Sequence, residues 1–350
     1  MAHLGSRGFD TISGEVVSTT AFTLLAARLP SYQGAYLRLV EGRSESEKST
    51  LAKNAILGRG ENFFRFSTNE INKVPGQPIA YWLSAPMVAA FQVGEPVSSS
   101  IGLKAGLSTG DNTIFQRLWH EVNLEDSSLG SLHNGEPIRS DRKWFPCHSG
   151  GQYRKWYGNH EVVLNWENDG LEVRNFGADG GRVRSAIRND SFYFREGLTW
   201  SKISSGRFDA RFRPRGFLFD DTGRSGFGDN SKTELGCLAM FCSTVANEML
   251  SILCPSMSFT STELGMLPFA TGASDLSVSG AKEMISLARS DWDAYETSWD
   301  FTTLPLLHPD HRADRGIAFG FVGSHRDRKS SSPDYERNER AKKFFLCSPF

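Results

Sequence analysis

Lys143-Trp144-Phe145-Pro146-Cys147-His148-Ser149-Gly150-Gly151-Gln152-Tyr153-Arg154-Lys155-Trp156-Tyr157-Gly158-Asn159 interleaves aromatic rings with cations around a Gly-Gly pair. No Asp or Glu interrupts it between Asp141 and Glu161. Such a composition suits a loop facing nucleic acid: cations meet phosphates, rings offer faces to bases or sugars, and glycines let a backbone approach closely. The same residues fit a structural reading, because Trp and Tyr usually sit in cores or half-buried and a Gly-Gly pair often marks only a turn. On the first reading Lys143, Arg154 and Lys155 contact phosphates, while Trp156, Tyr157 and Asn159 line the groove or pack beneath it.

Immediately downstream, Glu161 to Trp166 reads as a strand that ends in the Asn168-Asp169-Gly170 turn. Upstream, Gly106 to Trp119 reads as a glycine-flanked turn feeding a strand or helix. Its short polar side chains Thr109, Asp111 and Asn112 have the reach for a base edge or a phosphate, and Asn bonds adenine bidentately. The competing reading is a turn in which Asp111 and Asn112 satisfy their own backbone. Arg117 follows closely and joins the candidate DNA contacts. From Arg182 to Arg215 there are nine Lys or Arg against three Asp or Glu, which adds Arg211 and Arg213 to that set.

The outer bounds agree with a globular protein. A chain of 350 residues with 39% hydrophobic and 12% aromatic content supports two or three domains with sizeable cores. The formal net charge of -1 excludes a uniformly basic nucleic-acid protein, so local charge must decide what any surface binds. Five cysteines show no Cys-x-x-Cys spacing, which argues against a zinc ribbon or a disulfide framework and for a reducing, cytoplasmic setting. Metal ligands at useful spacing are lacking. Leu235 to Cys254 is the longest apolar stretch, but Asn247, Glu248 and several Ser or Thr mark it as a buried or amphipathic helix, so no membrane partner is expected. The N-terminus has no signal pattern. Gly223 to Gly228 lacks the Gly-Lys-Ser/Thr ending of a P-loop, which argues against a nucleotide site there.

Toward the N-terminus, Val16 to Leu25 is β-branched and poor in charge, predicting a buried strand. Tyr36 to Val40 is a second strand pattern. Ser44 with Glu47 predicts a capped helix reaching about Leu57. A short helix is expected over Pro86 to Phe91. Toward the C-terminus, Gly216 to Phe219 reads as a buried strand, Leu235 to Leu253 as a helix, and Ala281 to Glu296 as a helix with Met284, Ile285, Leu287 and Trp292 on one face. Residues 309 to 343 are rich in Asp, Arg, Lys and Ser without apolar periodicity, predicting a solvated tail.

Several motifs carry a resemblance. Residues 2 to 40, with "HLG…F…ISGEVV…TTAF", look like the last strands of the catalytic domain of amino-group adenine DNA methyltransferases. The element "GL-x-TGDN-x-x-F-x-R", the run "KWFP-x-x-x-GG-x-x-RKWYGN-x-x-x-V-x-NWENDG", "F-x-EG-x-TWS" followed by "GF-x-FD", and Tyr295 to Phe301 are similar to the PglX family, the methyltransferases of BREX phage-defence systems. Cys147 and His148 fall at variable positions of that pattern. The resemblance covers roughly residues 2 to 307.

It implies a mixed α/β fold: a remnant of a Rossmann-like methyltransferase sheet over residues 1–42, a linker helix over 43–60, a DNA target-recognition domain over 61–307 and an irregular charged tail over 308–350. It further implies S-adenosylmethionine-dependent N6-adenine methylation, with a flipped adenine held at an Asn-Pro-Pro-Tyr motif. The sequence contains no Pro-Pro pair and no cofactor-binding glycine loop, so no catalytic, cofactor-binding or metal-binding residue is expected in this chain. By the resemblance, Phe9 is the base-stacking residue, double-stranded DNA is the partner, and a missing catalytic half or other phage-defence subunits complete the enzyme. The alternative is a stand-alone DNA-binding or specificity-subunit-like protein, or an inert remnant of a truncated gene.

Overall fold

The computed structural model describes residues 1–11, 17–27, 29, 32–129, 142–204, 206–254, 256–269 and 274–307. Helices and mixed sheets make this an α/β fold. The chain divides into two compact units, Met1–Gly94 and Glu95 onward. Residue 60, the expected boundary, falls inside the first unit, because the chain returns after its first helix to pair with the strand that precedes it. The charged tail over 308–350 lies outside the described residues.

In the first unit, β1 (Ala2–Gly5), β2 (Thr19–Ala21), β3 (Gln33–Arg38) and β4 (Phe63–Ser67) form a sheet in the order β2-β1-β3-β4. β1 and β3 run parallel and the other pairs antiparallel. Helix α1 (Glu45–Ile56) begins at Ser44, whose hydroxyl accepts from the Glu47 N–H, as the sequence predicts. The Glu47 carboxylate reaches back to the Arg43 N–H. Lys48 is buried, and its ammonium donates to the carbonyls of Leu4 at 2.7 Å and Leu39 at 3.0 Å, tying the helix to β1 and β3. Tyr81 stacks on Tyr36 at 4.7 Å and meets Phe64 edge-on at 5.4 Å, just before α2 (Ala85–Val93).

The strand expected over Val16 to Leu25 is corrected. Only Thr19–Ala21 pairs, and Val17, Phe22, Leu24 and Leu25 are exposed; residues 12–16 lie outside the described residues. As the edge strand, β2 is hydrogen-bonded to β1 alone, and strand propensity does not specify a second layer to cover its apolar side chains.

The second unit contains β5 (Glu95–Pro96), β6 (Ile101–Lys104), α3 (Asn112–Phe115), β7 (Gln116–Leu118), β8 (Trp144–His148), β9 (Val162–Asn165), the helical segment α4 (Glu167–Arg174), β10 (Gly197–Ser201), β11 (Ala210–Arg213), β12 (Leu218–Phe219) and β13 (Gly223–Gly228). It continues through α5 (Ser231–Phe241), α6 (Thr244–Leu253), α7 (Ser261–Gly265), β14 (Pro268–Phe269) and α8 (Asp275–Trp292). Two four-stranded sheets organise it, β11-β10-β13-β6 and β12-β8-β9-β7, while β5 and β14 make a small pair. Leu107, Phe115, Phe145, Leu164, Trp166, Tyr193 and Phe219 share one apolar core.

The Asn168-Asp169-Gly170 turn forms with three successive left-handed residues, at φ of 51°, 58° and 71°. The single helix expected from Leu235 to Leu253 is corrected to two, α5 and α6, which bend by 74°. Ser243 makes the break: its hydroxyl accepts from the Ala246 N–H and caps a new helix. Among the described residues no single helix is long and apolar enough to cross a membrane.

Candidate nucleic-acid interface

The aromatic and cationic stretch enters the second unit as β8, held between β12 and β9. Phe145, Cys147 and His148 are buried there. Beyond the Gly150–Gly151 turn the chain adds itself to the free edge of β11: the Trp156 N–H donates to Ala210 O at 2.8 Å and the Phe212 N–H donates to Trp156 O at 2.7 Å. Trp156, Tyr157 and Asn159 are buried in consequence. Burial pushes the Tyr157 phenol up to about 12. At Gly158 a Cβ would lie 2.5 Å from Arg154 Cδ and 2.8 Å from Trp292 Cε3, so only glycine admits these side chains.

Two cations of this stretch, Arg154 and Lys155, have partners within the protein. The Arg154 guanidinium pairs with Asp291 at 3.1 Å and lies over the Trp292 ring at 5.0 Å. The Lys155 ammonium donates to the carbonyl of Cys242 at 2.6 Å, at the C-cap of α5, where a positive charge complements the helix end. Lys143 is half-buried, 5.9 Å from the Trp144 ring centroid. What remains exposed is the tip, Gly151-Gln152-Tyr153.

Arg211 and Arg213 are corrected as surface contacts, since their side chains are 1% and 0% exposed. Arg211 donates to Asp209 at 3.0 Å, to Arg154 O at 3.2 Å and to Ser201 Oγ at 3.1 Å. Arg213 donates to the carbonyls of Arg195 and Phe217, and its guanidinium lies 4.9 Å from the Phe219 ring centroid and 5.1 Å from that of Phe227. Two residues apart on a strand, the two guanidinium groups share a face, and here that face is interior.

The Thr109–Asn112 turn largely satisfies itself. Thr109 Oγ1 donates to Asn112 Oδ1 at 2.5 Å and accepts from the Asp111 N–H at 3.1 Å. Asp111 caps α3, accepting from the Thr113 N–H at 3.0 Å and its hydroxyl at 2.6 Å; the hydroxyl bond is the main reason its carboxyl stays below the ordinary range. The Arg117 guanidinium donates to the carbonyls of Thr113 and Gln116. Asn112 is exposed, and no hydrogen bond from its Nδ2 forms among the described residues.

Against this turn lies a segment whose arginines are not among the DNA contacts expected from the sequence. Ser108 and Ala186 exchange two backbone hydrogen bonds of 2.8 Å, and a Cβ at Gly110 would meet Arg184 backbone atoms at 2.9 Å. The loop so anchored, Gly177 to Arg188, exposes Arg182, Arg184 and Arg188. Among the described residues none of the three has a carboxylate within ion-pair distance, although Arg184 lies over the Phe176 ring at 5.0 Å and its charge helps lower Asp111. Gly177 and Gly181 take left-handed turns at φ of 84° and 81°. The count of basic residues from Arg182 to Arg215 pointed to this neighbourhood, but not to which of its members face solvent.

The fold and this surface define a two-unit mixed α/β protein that presents an arginine loop on a rigid turn. Over 310 residues, 88% of the chain, it is 40% identical to the adenine-specific methyltransferase PglX of Lacticaseibacillus casei (strain Zhang), covering 26% of that protein. Over 326 residues, 92% of the chain, it is 34% identical to the adenine-specific methyltransferase BrxX of Escherichia coli O9:H4 (strain HS), covering 25% of it. The chain matches no protein-family model. Over most of its own length the chain is thus similar to part of the PglX-type adenine-specific methyltransferases, and it spans about a quarter of the length of the curated relatives it matches.

Proposed function

We propose that this segment is the DNA-contacting, target-recognition portion of a site-specific N6-adenine DNA methyltransferase, working with a catalytic portion supplied by other residues. The carrying observation is the Gly177–Arg188 loop, whose three exposed arginines have no carboxylate partner among the described residues and rest on the Thr109–Asn112 turn. Unpaired arginines on a fixed loop suit the phosphates of duplex DNA, and the neighbouring Asn112 amide suits a base edge. Lys143 is a further proposed phosphate contact.

In the first unit, Phe9 is half-exposed and is proposed as a base-stacking ring. The glycine-rich run Gly223–Gly228 is a strand inside a sheet, not a strand-to-helix turn, so no cofactor loop is proposed there. Cofactor binding and methyl transfer are therefore assigned to the catalytic portion, and phage-defence proteins are proposed as its partners.

The test is duplex affinity over a range of salt. Arg184→Ala and Arg188→Ala should each weaken binding and reduce the slope of log K against log salt by about 1. Wild-type affinity and slope in both variants, or no duplex binding by the unaltered protein, would refute this reading.

A further inference from the structure

The exposed tip Gly151-Gln152-Tyr153 and the residues Ile203, Ser204, Gly206 and Arg207 border a hollow of about 410 Å3. Tyr153 is 51% exposed and Ile203 64%, so two apolar side chains are left uncovered at its rim. Gly151 holds a φ of 125° where a Cβ would strike the Asn159 amide, and Asn159 in turn clamps the tip by donating to Gln152 O at 2.8 Å. The tip is therefore held in place beside the hollow, with Ser201 Oγ donating to Gly151 O at 3.3 Å. The Gln152 side chain is exposed and makes no hydrogen bond among the described residues.

Charge distinguishes this hollow from a second one. Beside the start of α5, a hollow of about 480 Å3 is lined by Arg195 and Arg215 but also by Glu196, Asp229 and Glu234. Among the described residues no carboxylate lines the hollow at Tyr153, and Arg207 is the cation that does. Burial and then the Asp209 charge raise the Tyr153 phenol's pKa while Arg207, which borders the same hollow, opposes them. Asp209 itself is buried and paired with Arg211.

The geometry points to a binding site for one unpaired nucleotide of DNA, with the base on the Tyr153 ring, its edge read by the Gln152 amide, and its phosphate on Arg207. An aromatic face, an amide with both donor and acceptor, a guanidinium and close-approach glycines are the complement of a base and its phosphate, and they do not suit a paired base, whose faces are covered. This inference rests on the reading of the chain as a DNA-contacting segment, and it adds a preference for locally opened or single-stranded DNA.

The full chain is titrated with a single-stranded DNA of about 12 nucleotides, within the range of single-strand site sizes, and with the same sequence as a duplex. Tyr153→Ala should weaken single-strand binding about 5- to 150-fold, the range that base–aromatic stacking supplies, and leave duplex affinity unchanged. Tyr153→Phe should restore it. Arg207→Ala should lower the single-strand salt slope by about 0.7.

Wild-type single-strand affinity in Tyr153→Ala, with duplex binding intact, would overturn the nucleotide site and leave the duplex reading standing. Equal losses on both DNA forms would also overturn it. Single-strand binding without duplex binding would support the site and refute the duplex reading, and binding to neither would refute both. Because Tyr153 is half-exposed, an unchanged melting temperature verifies that each variant is folded.

Discussion

Arg211 Nη1 donates to Asp209 Oδ2 at 3.0 Å, and both side chains are 1% exposed. The pair fastens three segments, since Asp209 also accepts from the Arg154 N–H while Arg211 reaches Ser201 and Arg154 O. Burial pushes the Asp209 carboxyl up and the Arg211 guanidinium down, against the mutual attraction of the charges. Such a pair adds little net stability over an apolar substitute, yet breaking it is costly.

Asp209→Ala is accordingly expected to destabilise the protein by about 3–5 kcal/mol, because it leaves a buried guanidinium unpaired. A shift in the urea midpoint at constant m-value reads this. The double variant Asp209→Ala/Arg211→Met should recover much of the loss. A single variant as stable as wild type would show that the guanidinium escapes to solvent.

His148 and His160 form a second buried relationship, with ring centroids 5.3 Å apart, and His160 packs on Phe217 at 4.7 Å. Burial holds both rings neutral, taking His160 down to about 3 and His148 well below its ordinary value. The unfolded chain protonates near pH 6.5 and the folded rings do not, so unfolding takes up protons. The His160 contribution is therefore present above about pH 6.5 and is lost as pH falls toward about 3, at up to roughly 1.4 kcal/mol per pH unit, and His148 acts in the same direction. Urea midpoints measured at falling pH should show this decline, and His160→Phe should flatten it. An unchanged slope in the variant would mean that His160 does not carry the dependence.

Gly106 sits where a Cβ would lie 2.0 Å from the carbonyl oxygen of Phe219. That carbonyl cannot withdraw, because it accepts from the Leu107 N–H at 3.1 Å and Asp221 donates to Leu107 O at 2.9 Å. Gly106→Ala should cost about 3 kcal/mol or more. Gly180→Ala, where a Cβ would meet nothing within 4 Å, should remain within about 0.5 kcal/mol of wild type. Thermal unfolding of the two variants side by side measures the contrast, and equal melting temperatures would refute it.

Features that depend on a few neighbouring residues were legible in the sequence. Ser44 caps α1, Asn168-Asp169-Gly170 turns left-handed, Val162 to Asn165 is a strand, and Leu218–Phe219 is buried. A cap or a turn is decided by side-chain bonds and backbone angles within a few residues, so its residue types announce it. The motifs that resemble the PglX family were likewise read without coordinates, because identity of order along a chain is a property of the sequence.

Tertiary structure alone decided which charges face water. The pattern Ala210-Arg211-Phe212-Arg213 suggests exposed arginines, but Asp209, Ser201 and the carbonyls of Arg154, Arg195 and Phe217 supply partners that let the guanidinium groups stay inside. Those partners are mostly distant along the chain, and the cost of burying a charge depends on what surrounds it in space. For the same reason Lys155 ended at a helix C-terminus and Trp156 on a sheet edge, while Arg182, Arg184 and Arg188, alike in sequence, were left on the surface. Local sequence specifies turns and caps, but the exposure of a side chain is set by the rest of the fold.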